Sequence, residues 1–404
     1  MKKTPVTAAL AATGAAMLVL TGCSTGSSPS ADGDISLTLT DTMSETSAPI
    51  YDEIYQACAA DLGITVTSTH VAGSGLIAKV LQQASSKTLP DVLMLDNPDV
   101  QQIAASGALS PLSDYDINTD GYAEGVLTAG TYEGDLYGLA PVVNSIGLFY
   151  NVDLLDEAGI AVPTTWDELE SAAEKLTEGE RYGIAFSAAN SFEGAWQFLP
   201  YMWSNGGSED DLTGDDTVEA LTFVDDLVAN GYASKSVVAW SQNDVKDQFI
   251  AGNAAMMVNG PWNMPSLVAA EGLNFASVPI PTRTADQDTV APLGGETFTV
   301  PRTGDDAKMA AAGSFVECIT SDENQLTMAT GRGAVPSKTS VADEAAAANP
   351  LIESFVTTVQ TARARTELLG EEWPDAATRI YTAVQLALTD SKTPEEALEQ
   401  ASNE

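Results

Sequence analysis

Alternation between apolar and polar positions marks the elements of this chain before any single residue does. Residues 35–40, ISLTLT, alternate with the period of two that half-buries a strand. Helical periodicity follows over residues 47–61, and the pairing then repeats: strand 64–69, helix 75–86, strand 90–95 (PDVLML) and helix 98–106, ending near Gly107. Such strand–helix alternation predicts a parallel sheet with helices on both faces. Ligands of such sheets bind outside the carboxyl ends of the strands. Those ends are the polar or small stretches 40–45, 72–74 and 96–97. A long extended run, APVVNSIGLFYN (140–151), leads into the helix NVDLLDEAG. Thr165, with Glu168 three residues on, predicts a capping box at the start of the next helix. A second alternating unit follows: strand YGIAF, helices across 192–204, 215–229 and 242–251, and strand 254–258. LGGETFTV (293–300) reads as another long strand, and helices fill most of the rest to residue 402.

The opening has a different pattern. Two lysines precede a short apolar run over residues 5–20, as in a secretory signal. The run is short of the roughly 20 apolar residues of a comfortable membrane span. It ends in Leu20-Thr21-Gly22-Cys23, which resembles the lipobox of bacterial lipoproteins, whose cysteine becomes the first mature residue and carries lipid. STGSSPSADG (24–33) is too polar and too rich in Ser and Gly to bury a core and reads as a flexible spacer. The expectation is a signal peptide over 1–22, then a lipidated Cys23 and linker over 23–33. The rest is then held on the extracytoplasmic face of the cell membrane by lipid alone.

About 370 residues remain, too many for one hydrophobic core, which suggests two lobes. The formal net charge of −40 excludes nucleic acid and anionic membrane surfaces as partners. The acids are scattered and read as a solvated surface. Cys58 and Cys318 are the cysteines left after Cys23, each in a helical pattern and without zinc-type spacing. In an oxidising compartment they are either a disulfide or two buried thiols.

Catalytic motifs are missing. His70 is the single histidine, and there is no G-x-S-x-G elbow, phosphate-binding G-x-x-x-x-G-K-[ST] loop or H-E-x-x-H pair. Acids are too widespread to single out a glycosidase pair. DINTDG (116–121) matches the start of a calcium loop, but Leu127 stands where the bidentate Glu belongs, so it reads as a polar turn. The chain is read as a non-enzyme with neither cofactor nor metal. Its six tryptophans are more informative. Trp166 follows VPTT and reads as a structural staple. Trp196, Trp203, Trp240, Trp262 and Trp373 lie at the ends of elements, among Gly, Pro, Asn and Asp. Aromatic faces beside planar amides suit a pyranose, whose C–H face stacks while its hydroxyls bond. Few Lys or Arg flank these segments, which disfavours a phosphate or strongly anionic ligand.

In order and spacing, several stretches resemble the extracellular solute-binding proteins of carbohydrate ABC importers, the group that includes maltose-binding protein. They are LPDVLMLDNPDVQQIAASGALSPL, LYGLAPVVNSIGLFYNVDLLDEAGIAVPTTWDEL, FIAGNAAMMVNGPWNMP, LGGETFTVP, GRGAVPSKTSV and TPEEALEQA, and together they span most of the mature chain. The resemblance implies a type II periplasmic-binding-protein-like α/β fold, with two lobes joined by crossing strands and the ligand in the cleft between them. The lobes are expected at 34–142 plus 299–345 and at 143–298 plus 346–404. It implies a monomeric binding protein, with an oligosaccharide ligand and separate permease transmembrane subunits as partners. Ligand contacts carried over are Trp262, Trp196, Asn144, Gly294, Gly295, Glu296, Asp96 and Asn97, to which Trp240, Trp203, Trp373 and Glu45 are added as candidates. Where maltose-binding protein has a further stacking aromatic, Ile380 aligns here, with Tyr381 beside it and Trp373 upstream, so the ligand need not be a maltodextrin. A non-sugar solute such as a polyol, amine or peptide is the alternative, and a surface-anchored glycoside hydrolase is a further one. The resemblance also places the helices of Cys58 and Cys318 in one lobe, which favours a bridge between them.

Overall fold

The computed structural model describes residues 35–43, 47–71 and 73–403. The signal, Cys23, the linker and Glu45 lie outside the described residues.

Two sheets organise the chain. In the nine-stranded sheet, Ser36–Asp41 pairs in parallel with Thr65–His70 on one side and Val92–Asp96 on the other. The alternation of ISLTLT is used as expected: Leu37 and Leu39 point into the core and Thr38 outwards. The sheet is mixed, not purely parallel. Pro292–Pro301 runs antiparallel beside Val92–Asp96, with Glu296 opposite Asp96, and also pairs with Val142–Asn144, with Gly294 opposite Asn144. The direction reverses because this strand returns from the other sheet. The second sheet has the order Tyr182–Ala185, Ala254–Asn259, Gly147–Asn151, Phe275–Val278. Its first two strands are parallel and the others antiparallel.

The extended run 140–151 is therefore two strands in two sheets. The break falls at Ser145, which is fully buried and donates its hydroxyl to the Pro292 carbonyl at 2.8 Å. That bond ties the two crossing strands together where the chain passes between sheets. Phe275–Val278 was not expected as a strand. It is a four-residue, half-buried edge, too short to show a period.

Beneath the large sheet, Tyr51, Tyr55, Phe298 and Phe315 pack with ring centroids 5.9–6.5 Å apart. A Cys58–Cys318 disulfide joins the helices Ala48–Leu62 and Asp306–Ile319 beside them, with Cα atoms 5.9 Å apart. On the second sheet, Trp166 stacks on Phe223 at 4.6 Å and donates its indole N–H to the Pro281 carbonyl. The helix it opens is half of a capping box. Thr165 accepts from the Glu168 amide, but the Glu168 carboxylate reaches past it to the amide and hydroxyl of Thr164. DINTDG is a polar turn, in which Asn118 accepts from the Asp120 amide and Asp116 has φ of 55°. Among the described residues, no helix is long and apolar enough to cross a membrane, and no group of three or more His, Cys, Asp and Glu could hold a metal ion.

Candidate ligand-binding site

The carboxyl ends of the parallel strands in both sheets converge on the crossing strands, and most of the candidate residues stand there. Val92–Asp96 delivers Asp96 and Asn97. Tyr182–Ala185 leads through a loop into helix Phe192–Ser204, which carries Trp196 one turn from its start. Ala254–Asn259 leads directly to Trp262.

Gly294 is the pivot. A Cβ built there would lie 2.2 Å from the Asn144 side-chain oxygen and 2.7 Å from the Trp196 ring. Only the absence of a side chain lets the amide and the indole close over the strand. Gly295 accepts the Asn97 amide N–H on its carbonyl at 3.0 Å. Gly260 plays the same steric role for Trp262, whose six-membered ring lies where any Cβ at 260 would be. Trp262 is half-buried, and the backbone of Gly333 packs on the adjoining Pro261 and Met264.

Arginines distant in sequence complete the region. Arg365 is buried, and one of its terminal nitrogens donates to Asp96 Oδ1 at 2.7 Å and Asn97 Oδ1 at 2.8 Å. Its guanidinium carbon sits 4.5 Å from the centre of the Trp196 ring. Asn97 is held further by its own amide, which donates to the Leu293 carbonyl. Arg332 meets Glu296 with both terminal nitrogens, at 2.9 and 3.2 Å, and also donates to the Tyr51 oxygen at 2.7 Å. Glu296 thus has both carboxylate oxygens engaged by the protein. Asp99, at the start of helix Asp99–Ala105, faces Asp96. Burial and the Asp96 charge push its carboxyl up to about 7 against the opposing pull of Arg365.

The expectation that the tryptophans lie far from cations holds in sequence and fails in space. Arg363 and Arg365, neighbours in TARARTELL, cover Trp203 and Trp196. Both charges are balanced, by Glu209 and Asp96. An R-x-R run in a chain with 17 basic residues against 57 acids was the available signal.

Trp203 and Trp373 are not brought to the cleft surface. Trp203 is 5% exposed, donates its indole N–H to Glu209 at 2.8 Å and is capped by Arg363, while Trp373 is 4% exposed inside the second sheet's core. Both are large apolar side chains at helix ends that the core claims first. Trp240 is half-buried between the two cores, with its carbonyl accepting from Ser187. Trp196 itself is 7% exposed, and its indole N–H has no protein partner. A cavity of about 650 Å³ lies between Gln101, Glu124, Thr128 and Tyr132 on one side and residues 366–372, the segment that joins Arg365 to Trp373, on the other.

Residues 53–354 match the family described as bacterial extracellular solute-binding protein, and the chain belongs to that family, a family of binding proteins and not of enzymes. A putative binding protein of Brucella abortus is 27% identical over 242 residues, which is 57% of this chain and 58% of that protein. The chain thus spans a little over half the length of that relative. A maltooligosaccharide ABC transporter solute-binding lipoprotein of Streptococcus pneumoniae is 24% identical over 341 residues, 80% of this chain and 78% of that one. Among solved structures, the GacH receptor of Streptomyces glaucescens, crystallised unliganded and with acarbose, superposes with a TM-score of 0.80 at 24% identity, covering 92% of this chain and 97% of that one. The two-lobed solute-binding fold is thereby established.

Proposed function

We propose that this member of the extracellular solute-binding family captures an oligosaccharide outside the membrane and delivers it to the transmembrane subunits of an ABC importer, held to the membrane by lipid on Cys23. The observation that carries the reading is the convergence of Trp196 and Asn144 on Gly294 of the crossing strand Pro292–Pro301, with Trp262 half-buried just past the end of Ala254–Asn259. Aromatic faces and a planar amide are the groups a neutral sugar needs. The name of the pneumococcal relative supports the sugar, the importer and the lipid anchor alike.

In this reading the lobes are 34–142 plus 299–345 and 143–298 plus 346–404, and the ligand closes them by a hinge at the crossing strands. Arg365 belongs to the segment that returns across that hinge, so its grip on Asp96, Asn97 and Trp196 is a contact the ligand has to accommodate or displace. Asp96 is half-exposed but already paired with Arg365, so a cationic solute, the second reading, would have to displace that guanidinium.

The test is a titration of the chain from Ser24 onward with a panel of neutral oligosaccharides, alongside amines and polyols. Tryptophan fluorescence and calorimetry are followed together, and the ligand is recovered afterwards. Saturable binding of an oligosaccharide recovered intact supports the reading. Binding of an amine alone replaces the sugar, and cleavage of the ligand would make the protein a hydrolase.

A further inference from the structure

Phe192 is the one aromatic among the large apolar side chains left exposed in the described residues, at 47%. It is the first residue of helix Phe192–Ser204, four positions before Trp196 and so on nearly the same helix face, about 6 Å further along the axis. The helix starts from the loop at the carboxyl end of Tyr182–Ala185, the edge on which the candidate site is built. Tyr381, from helix Trp373–Leu388, stands beside Phe192 with ring centroids 6.1 Å apart and planes at 60°. At that tilt the rings do not lie face to face, and Phe192 stays about half exposed. Asn190 and Ser191, just before it, are exposed polar side chains, and the Ser191 hydroxyl does not cap the helix.

Tyr381 is half-buried against the second core, but burial does not explain Phe192. Within the same helix Trp196, Phe198, Leu199, Tyr201 and Met202 are all buried, so the core is already supplied. An aromatic face continuing outward from Trp196, with an amide and a hydroxyl at its edge, has the chemistry of a pyranose platform.

We propose that Phe192 and Tyr381 form an outer subsite that stacks a distal sugar unit of the same ligand whose inner unit lies at Trp262, and so set the protein's preference for chain length. The proposal rests on the oligosaccharide reading above. Phe192→Ala, Tyr381→Ala and Phe192→Trp are compared with the parent chain, by calorimetry, across a homologous series of neutral oligosaccharides from the disaccharide upward. The parent is expected to bind longer members more tightly. Phe192→Ala should lose about tenfold in affinity for those members alone, with the shortest binder and the melting temperature unchanged. Phe192→Trp should restore the preference, and its added fluorescence should respond to long but not short ligands. Binding that does not depend on length, or a Phe192→Ala loss equal at every length, overturns the outer subsite and leaves the oligosaccharide reading standing. No binding by any member overturns that reading itself, and the subsite with it.

Discussion

Arg365 lies over Trp196, its guanidinium carbon 4.5 Å from the ring centre, while the same side chain grips Asp96 and Asn97 at the end of a strand in the other sheet. One residue thus couples the aromatic of one sheet to the strand end of the other. Replacing it by Ala leaves the buried Asn97 Oδ1 without its donor, removes the charge partner of Asp96 and uncovers Trp196. Arg365→Ala is expected to cost about 3 kcal/mol in urea unfolding. Arg365→Lys should recover only part of it, because an ammonium that reached both acceptors would still lack the planar group that lies over the Trp196 ring.

The tryptophans should separate by phenotype. Trp203→Ala removes a buried ring and leaves Glu209 Oε2 without its indole donor, so it should destabilise by about 3–5 kcal/mol. Trp262→Ala, at a half-buried position over Gly260, should leave the melting temperature nearly unchanged and weaken ligand binding by about 30-fold or more. Thermal melts and titrations of both variants check the contrast.

Asp99 makes stability depend on pH. Its carboxyl is held up at about 7 by burial and by Asp96. An acid raised on folding binds its proton more tightly in the native state, so its favourable contribution is full below the ordinary carboxylate pKa and is lost as pH rises towards about 7. Asp99→Asn should therefore gain at least about 1 kcal/mol relative to the parent at pH 8, and the gain should shrink on going down to pH 4. A gain independent of pH would show that Asp99 does not titrate in this range.

His70 runs the other way. Burial works against its charge. Hydrogen bonds and charges from Asp41, 2.6 Å from Nδ1, and Asp52, 3.4 Å from Nε2, together outweigh that and raise its pKa. Only the imidazolium has a donor for both carboxylates. The resulting stability is present below the unfolded value and is lost as pH rises through the raised one. As the single histidine, its ring resonances in an NMR titration give the midpoint directly, and it should lie above the usual 6.5.

Reduction should weaken the first core. The Cys58–Cys318 bridge spans 260 residues and restrains the unfolded chain over most of its length. Cys58→Ser with Cys318→Ser should cost about 2–5 kcal/mol, and intact-mass comparison before and after reduction should show two further thiols.

The local levels were legible in the sequence. Periods of two and 3.6 placed Ser36–Asp41, Ala48–Leu62, Phe192–Ser204 and Asp215–Ala229 within a residue or so, because each element must bury one face. The glycines of LGGET entered only through the family resemblance, and the close approach of Asn144 and Trp196 that Gly294 permits is seen in the fold. What sequence reading missed is of another kind. The break at Ser145 is invisible locally, because both halves of 140–151 are equally extended and only their sheets differ. The Arg363 and Arg365 caps were missed because they sit some 160 residues from the rings they cover.

The sequence by itself determined most of the elements, the α/β alternation, the two long extended runs and which residue types gather at strand ends, for these follow from chain-local periodicity and from backbone sterics. Only the tertiary structure decided which tryptophans face a ligand. Trp203 and Trp262 have similar loop-rich surroundings in sequence, yet one is enclosed between Glu209 and Arg363 and the other stays half-open over Gly260. Burial and charge pairing are properties of what the fold brings alongside a residue, and those neighbours come from distant parts of the chain.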